Sequence, residues 1–362
     1  MKTVKIPVSQ LSPGMIVADN VYTFSNQLII QAGTQLSDKI ITRLKFYSVD
    51  MVHIRVEDNT LEPLPIAPLV KELYLEKLKG SHEFLQFNQT LLKSVDKLKT
   101  AMQSIIDGST KIDMCSLYED VNSIITSSRN GLHVFDMLHC MRDYDDVTYI
   151  HSINVALICN VLGTWSHFTD KDLETVTLCG LFHDIGKMTI PEEIMKKPSK
   201  LTAEEYITMK EHTVHGYNVL SPLDINIHIK MAAMMHHERC DGSGYPLGLQ
   251  GKQIDKFAKI VMIADVYDAM TSARVYRGPL CPFEVISVFE DEGLTKYEPK
   301  YIMTFLDHIM QLYLNCTVRL NDGTVGKIIL MHRDSLSRPV IRVNDDFIDL
   351  EANHELYITA IL

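Results

Sequence analysis

No stretch of this 362-residue chain is apolar for the roughly 20 residues that a helix needs to cross a bilayer. The opening MKTVKIPVSQ also lacks the apolar core of a secretory leader. Cysteine is scarce and unpatterned. The seven residues, Cys115, Cys140, Cys159, Cys179, Cys240, Cys281 and Cys316, are odd in number and never spaced C-x-x-C. That excludes a disulfide-stapled miniprotein and fits reduced thiols serving as small core residues. Positive charge is short too: Lys plus Arg total 35 against 46 for Asp plus Glu, a formal net charge of −11. No basic stripe is offered to a nucleic-acid backbone. These absences lead us to expect a cytoplasmic protein with neither a membrane nor duplex nucleic acid as partner. What is present is globular in character, with 46% apolar and 22% charged residues. The length suits more than one domain, since single cores stop growing near about 250 to 300 residues.

Texture changes twice along the chain. Short apolar runs split by turn signals fill the first sixty residues: Ser12-Pro13-Gly14 precedes Met15-Ile16-Val17, and Leu28-Ile29-Ile30 leads to Ala32-Gly33. Ser37 is a plausible N-cap for a helix from Asp38 to Tyr47, and strand character resumes at Met51 to Val56. Residues 1–62 thus read as a small α+β module, closed by the proline-rich segment Glu62 to Pro68. From Leu69 helical periodicity takes over. Leu91, Val95, Leu98, Met102 and Ile105 form an a/d seam that serves either an intramolecular core or a homodimer through residues 69–106. Residues 69–314 read as the main, helical domain. Beyond them, Asn321-Asp322-Gly323 between two β-rich runs, with further strands at Val340 to Val343, Phe347 to Leu350 and Leu356 to Ile361, predicts a small β-barrel-like module over 317–362. The fold class expected is mainly α with a small module at each end.

The chemistry concentrates in the helical domain. Eight of the fifteen histidines lie between His151 and His237. Several adjoin carboxylates or each other: His183-Asp184, His236-His237-Glu238, and Asp265 with Asp268 one helical turn on. Mixed imidazole and carboxylate donors suit divalent transition metals, and a set larger than four suggests more than one ion. In Leu181-Phe-His-Asp-Ile-Gly-Lys187 an apolar helix end delivers the pair, and Gly186 permits a tight turn that brings Lys187 near. A cation beside a metal cluster implies an anionic substrate. The apolar run Met231 to Met235 presents His236 and His237, followed by the glycine-rich loop Asp241-Gly-Ser-Gly-Tyr-Pro246. Arg274 and Arg277 close the helix that carries Asp265 and Asp268, and arginine forks bind phosphate in two-pronged fashion.

Taken together, these blocks resemble the HD-GYP family of metal-dependent phosphohydrolases. The resemblance runs from about Asp146 to Arg277, through Thr148-Tyr-Ile-His-Ser-Ile-Asn-Val155, the His-Asp-Ile-Gly-Lys block, Lys210-Glu-His-Thr-Val-His-Gly216 and the Gly-Tyr-Pro block. It implies an all-helical catalytic core over residues 146–277. The metal ligands it implies are His151, His183, Asp184, His212, His236, His237 and Asp265, with Asp184 bridging two ions and His212 preferred over His215. Asp184 and Lys187 would be catalytic. Lys187, Arg274, Arg277, Tyr245 and Asp268 would meet the substrate, with Tyr245 chiefly shaping the site. Some members carry a glutamate four residues before the first histidine in support of a third metal; here that position is Val147, so two ions are expected, iron or manganese first, with cobalt or nickel admissible. Ala273, Val275 and Thr213 also depart from the usual pattern without removing a required group.

The activity so implied is hydrolysis of the bacterial second messenger cyclic di-GMP to pGpG, GMP or both. The rivals are a catalytically silent messenger receptor, which would have lost a ligand or Lys187, and a phosphodiesterase for another cyclic dinucleotide such as cyclic GMP-AMP. A plain HD hydrolase acting on other nucleotides would lack the Gly-Tyr-Pro block.

Overall fold

A computed structural model describes residues 2–8, 11–22, 28–46, 49, 51–56, 81–128, 131–140, 147–197, 199–272 and 280–362. The chain divides into two compact units, residues 1–70 with 202–206, and residues 71–201 with 207–362. Both the proline-rich segment 62–68 and the arginines Arg274 and Arg277 fall outside the described residues.

The first unit holds strands β1 (Lys2–Pro7), β2 (Ile16–Val17), β3 (Val21–Tyr22), β4 (Leu28–Ile30) and β5 (Met51–Val56), with helix α1 (Asp38–Phe46). An antiparallel sheet in the order β1-β5-β2 pairs Val4 with Ile54 and Ile6 with Val52. The strand period of two sends Val52 and Ile54 to one face, where they bury with Val17, Leu36 and Leu44. Ser37 begins α1 by accepting the Ile40 amide at 3.4 Å through its hydroxyl.

The second unit is mainly helical. It opens with α2 (His82–Ile106), capped by Ser81, whose hydroxyl accepts the Phe84 amide at 3.1 Å. All five seam residues, Leu91, Val95, Leu98, Met102 and Ile105, are buried within the chain itself. The seam is therefore a core stripe. There follow α3 (Met114–Ser127), α4 (Gly131–Cys140), α5 (Val147–Trp165), α6 (Asp170–Phe182), a 3-10 turn (Ile185–Thr189), α7 (Glu192–Met195), α8 (Ala203–Lys210), whose first four residues count with the first unit, α9 (His212–Leu220), α10 (Ile227–Met235), α11 (Lys256–Thr271), α12 (Pro282–Lys296) and α13 (Pro299–Tyr313). Helices α5 and α11 are apolar nearly all round and lie at the centre. A helix clothed in neighbours on every side needs no polar face.

Strands β6 (Thr317–Leu320), β7 (Val325–Leu330), β8 (Val340–Val343), β9 (Asp346–Asp349) and β10 (Ile358–Ile361) form one antiparallel sheet in the order β10-β6-β7-β8-β9. The predicted turn joins β6 to β7, with Gly323 at φ 88°. No ladder joins the two edge strands among the described residues. The module is a five-stranded sheet with Val318, Leu320, Ile328 and Ile341 on its buried face. Glu290 of α12 ties it to the helices by accepting the backbone amides of Leu336 and Ser337.

Candidate metal centre

Five helices deliver the site. His151 lies one turn into α5, His183 and Asp184 follow the last turn of α6, and His212 opens α9 directly after α8. His236 and His237 follow α10, and Asp265 and Asp268 lie on one face of α11. Two groups of donor atoms converge there: Asp184, His212, His236 and His237 in one, His151, His183 and Asp265 in the other.

In the first group the imidazoles are turned by the backbone. His212 Nδ1 donates to the Met209 carbonyl at 2.7 Å, and His236 Nδ1 to the carbonyls of Ala232 and Ala233 at 3.1 and 3.0 Å. Their Nε2 atoms are thereby left as bare lone pairs, and they face each other at 3.2 Å. Asp184 Oδ1 lies 3.4 Å from one and 3.5 Å from the other. Three acceptors with no hydrogen between them repel one another, and a cation at their centre turns that repulsion into attraction. Donors held about 2.1 Å from one ion lie about 3.0 to 3.4 Å from one another, close to the 3.2 to 3.5 Å found. Asp184 Oδ1 and His183 Nε2 are also buried without a hydrogen-bond partner. A buried orphan of that kind costs about 1 to 3 kcal/mol unless something satisfies it. The residues fit a divalent ion.

The second group meets the other oxygen of Asp184. Oδ2 lies 3.2 Å from His183 Nε2 and 3.7 Å from His151 Nε2. His183 Nδ1 donates to the Gly180 carbonyl at 2.7 Å. His151 Nε2 stands 3.1 Å from Asp265 Oδ1, and its Nδ1 donates to Asp268 Oδ2 at 2.6 Å. One carboxylate thus stands between the two groups, one oxygen toward each, and Lys187 Nζ donates to it from the 3-10 turn.

Electrostatics prepare both groups. Burial holds His236 and His237 below the ordinary histidine value and pushes His212 down to about 3, so these imidazoles stay neutral. Burial alone would raise Asp184, but His183 and Lys187 hold it well below the carboxylate range. Asp265 is likewise depressed, against its burial, by His151 and His237. His151 goes the other way. Burial opposes its charge, yet hydrogen bonds to Asp265 and Asp268 raise it to about 9.

The local backbone explains the glycines. Gly186 has an ordinary negative φ, so it serves contact and not a special turn: a Cβ there would lie 1.9 Å from the His212 carbonyl oxygen and 2.5 Å from the Gly216 amide. The 3-10 turn and α9 touch main chain to main chain. In the glycine-rich loop, a Cβ on Gly244 would meet the backbone of Glu238 and Arg239 at 2.4 Å. Tyr245 stacks on His237 with centroids 4.7 Å apart, and Lys210 Nζ lies 5.6 Å over the Tyr245 ring.

Three placements differ from the sequence reading or add to it. Asp268, expected among the substrate contacts, is buried behind His151, and its second oxygen accepts from Asn154 at 3.0 Å and Ser272 at 3.2 Å. His215 stands apart from the donors with its Nδ1 2.8 Å from the Thr189 hydroxyl. Glu238, which the sequence offers only as a neighbour of His237 and without a role, is wholly buried, and its carboxylate accepts the amides of Leu247 and Leu249 at 2.7 and 2.8 Å, clamping the loop. An acid directly after two site histidines was the available signal. Among the described residues, no helix is long and apolar enough to cross a membrane.

Comparison with known proteins bears on the same region. A family profile described as HD domain matches residues 139–301. A cyclic di-GMP phosphodiesterase of Pseudomonas aeruginosa is 32% identical over 94% of this chain and 84% of its own length. A cyclic di-GMP phosphodiesterase of Thermotoga maritima is 34% identical over 65% of this chain and 62% of its own. A 3′3′-cGAMP-specific phosphodiesterase of Vibrio cholerae is 41% identical over 40% of this chain and 34% of its own.

Proposed function

Because the chain belongs to the HD-GYP family of HD-domain phosphodiesterases, we propose that it hydrolyses cyclic di-GMP to pGpG, GMP or both, using two divalent ions, and so lowers the messenger in the cytoplasm. The observation that carries this reading is Asp184, buried between two sets of ligand-ready donors with one oxygen toward each. Asp184 with His212, His236 and His237 would hold one ion; His151, His183, Asp265 and the second Asp184 oxygen would hold the other. When bound, such ions supply Lewis-acid charge and make a water acidic near neutral pH. Iron and manganese are the leading candidates for this donor set, with cobalt and nickel admissible.

The chain's own groups do the rest. Lys187 is paired to Asp184 and partly exposed, so it neutralises charge gathering on the phosphoryl oxygens. Arg274 and Arg277 clamp the non-reacting phosphate. Tyr245, fixed on His237, walls the site beside the bases. The flanking modules, residues 1–62 and 317–362, position or regulate the helical domain of residues 69–314. Leu85 and Leu92, exposed two turns apart on α2, are what that helix leaves for a homodimer.

The relative from Vibrio cholerae favours a second reading, preference for a hybrid cyclic dinucleotide. One time course decides both questions. Protein prepared without chelator and supplied with Mn²⁺, or anaerobically with Fe²⁺, is incubated with cyclic di-GMP and with 3′3′-cGAMP, beside Asp184→Ala. Metal-dependent product from cyclic di-GMP, absent in the variant, is the expected result. Faster cleavage of the hybrid moves the substrate assignment, and binding without cleavage of either turns the protein into a receptor.

A further inference from the structure

Four side chains interlock where α5 crosses α11. His151 and Asn154 are one turn apart on α5, and Asp265 and Asp268 are one turn apart on α11. Asp268 Oδ2 takes the His151 Nδ1 proton at 2.6 Å, while Oδ1 takes a hydrogen from Asn154 Nδ2 at 3.0 Å. Asp268 and Asn154 are both buried. Among the described residues, their side-chain hydrogen bonds run to His151, to Ser272 and to each other.

The other site histidines turned through Nδ1 are held differently. His183, His212 and His236 each give their Nδ1 proton to a backbone carbonyl three or four residues earlier. Such a partner is part of the helix end and cannot be removed by substitution. Of these four, His151 is the one whose Nδ1 is held by a side chain from another helix. A carboxylate at that position fixes the tautomer, leaves the lone pair on Nε2 and raises its basicity.

We propose that Asp268, held by Asn154, is a positioning residue that sets His151 as a ligand, and that it serves the His151, His183 and Asp265 group alone. The inference rests on the metal-dependent reading above and concerns one ion of the two. Asp268 does not touch the substrate.

The test reads metal content, not turnover. Protein is equilibrated against graded free Mn²⁺, and bound metal per chain is measured by elemental analysis for the unaltered protein, Asp268→Ala, Asp268→Asn and Asn154→Ala. The unaltered chain binds two ions. In Asp268→Ala one ion binds about 10- to 100-fold more weakly, the usual range for loss of an outer-shell partner, and the other is unchanged. Asp268→Asn recovers most of the loss, because an amide oxygen still accepts the Nδ1 proton. Should Asp268→Ala fail to fold, Asn154→Ala weakens the same single ion by a smaller factor. Equal weakening of both ions, or of neither, overturns the proposal. An unaltered chain that binds no Mn²⁺ removes the metal reading itself, and this inference with it.

Discussion

On one side of Asp184 the imidazoles of His212 and His236 hang from backbone carbonyls and are kept neutral by burial. On the other, His151 is turned by a carboxylate from a second helix and holds its proton up to about pH 9. The donors are of the same kinds, and His183 too hangs from a helix-end carbonyl, yet His151 alone of these four is turned by side chains meeting across a helix crossing. Main-chain anchoring makes a group that survives most substitutions but is sensitive to backbone displacement. Side-chain anchoring makes a group that a single distant residue can undo.

The largest effect should come from the residue that belongs to both groups. Asp184→Ala is expected to bring turnover below detection and to strip both ions, while circular dichroism reports an intact helical fold. Retained activity with metal carry-over excluded would break the comparison at its hinge.

Gly186→Ala separates the groups from the opposite direction to Asp268. The added methyl group pushes on the His212 carbonyl and the Gly216 amide, so His212 moves and the first group loosens while His151 stays. The expected cost is about 3 kcal/mol, the upper part of the range for overpacking. A denaturant midpoint unchanged from the parent would show that the turn can yield.

Acidity distinguishes the groups in metal-free protein. His212, His236 and His237 are depressed in the folded chain, so the stability they contribute is present above the ordinary 6.5 and is lost as pH falls below it. Each contributes up to about 1.4 kcal/mol per pH unit there. His151 is raised, so its contribution is full below 6.5 and fades as pH climbs toward 9. Chelator-treated protein should therefore melt lower at pH 5.5 than at pH 7, and His237→Gln should flatten that slope by about one proton. An unchanged slope would mean the imidazole is not held neutral.

The smallest effect is expected at His215. Its replacement by alanine removes one hydrogen bond to Thr189 on a partly exposed surface, worth about 0.5 to 1.5 kcal/mol, with metal content unchanged. Loss of an ion in that variant would place His215 among the donors after all.

What could be read from the sequence follows the same division. The His183-Asp184 and His236-His237 pairs stand out because adjacent residues at helix ends advertise themselves, while the preference for His212 over His215 comes only from the family resemblance. The helical character of the main domain and the hairpin at Asn321-Asp322-Gly323 were legible from periodicity and turn chemistry. The place of Asp268 behind His151 is not legible, because a shared face with Asp265 says nothing about what lies on the far side. Its partner His151 is 117 residues away, and no local pattern records that meeting. The a/d seam on α2 suits an intramolecular core first and admits a second chain, and its five residues are buried within their own chain.

The contact at Gly186 has a bearing on inheritance. A related chain could keep all seven donor side chains and still have lost the site by gaining one methyl group, since the main-chain contact with α9 leaves no room for it. Whether a descendant of this gene is an enzyme or a relic is then decided as much by a residue with no side chain as by the histidines around it.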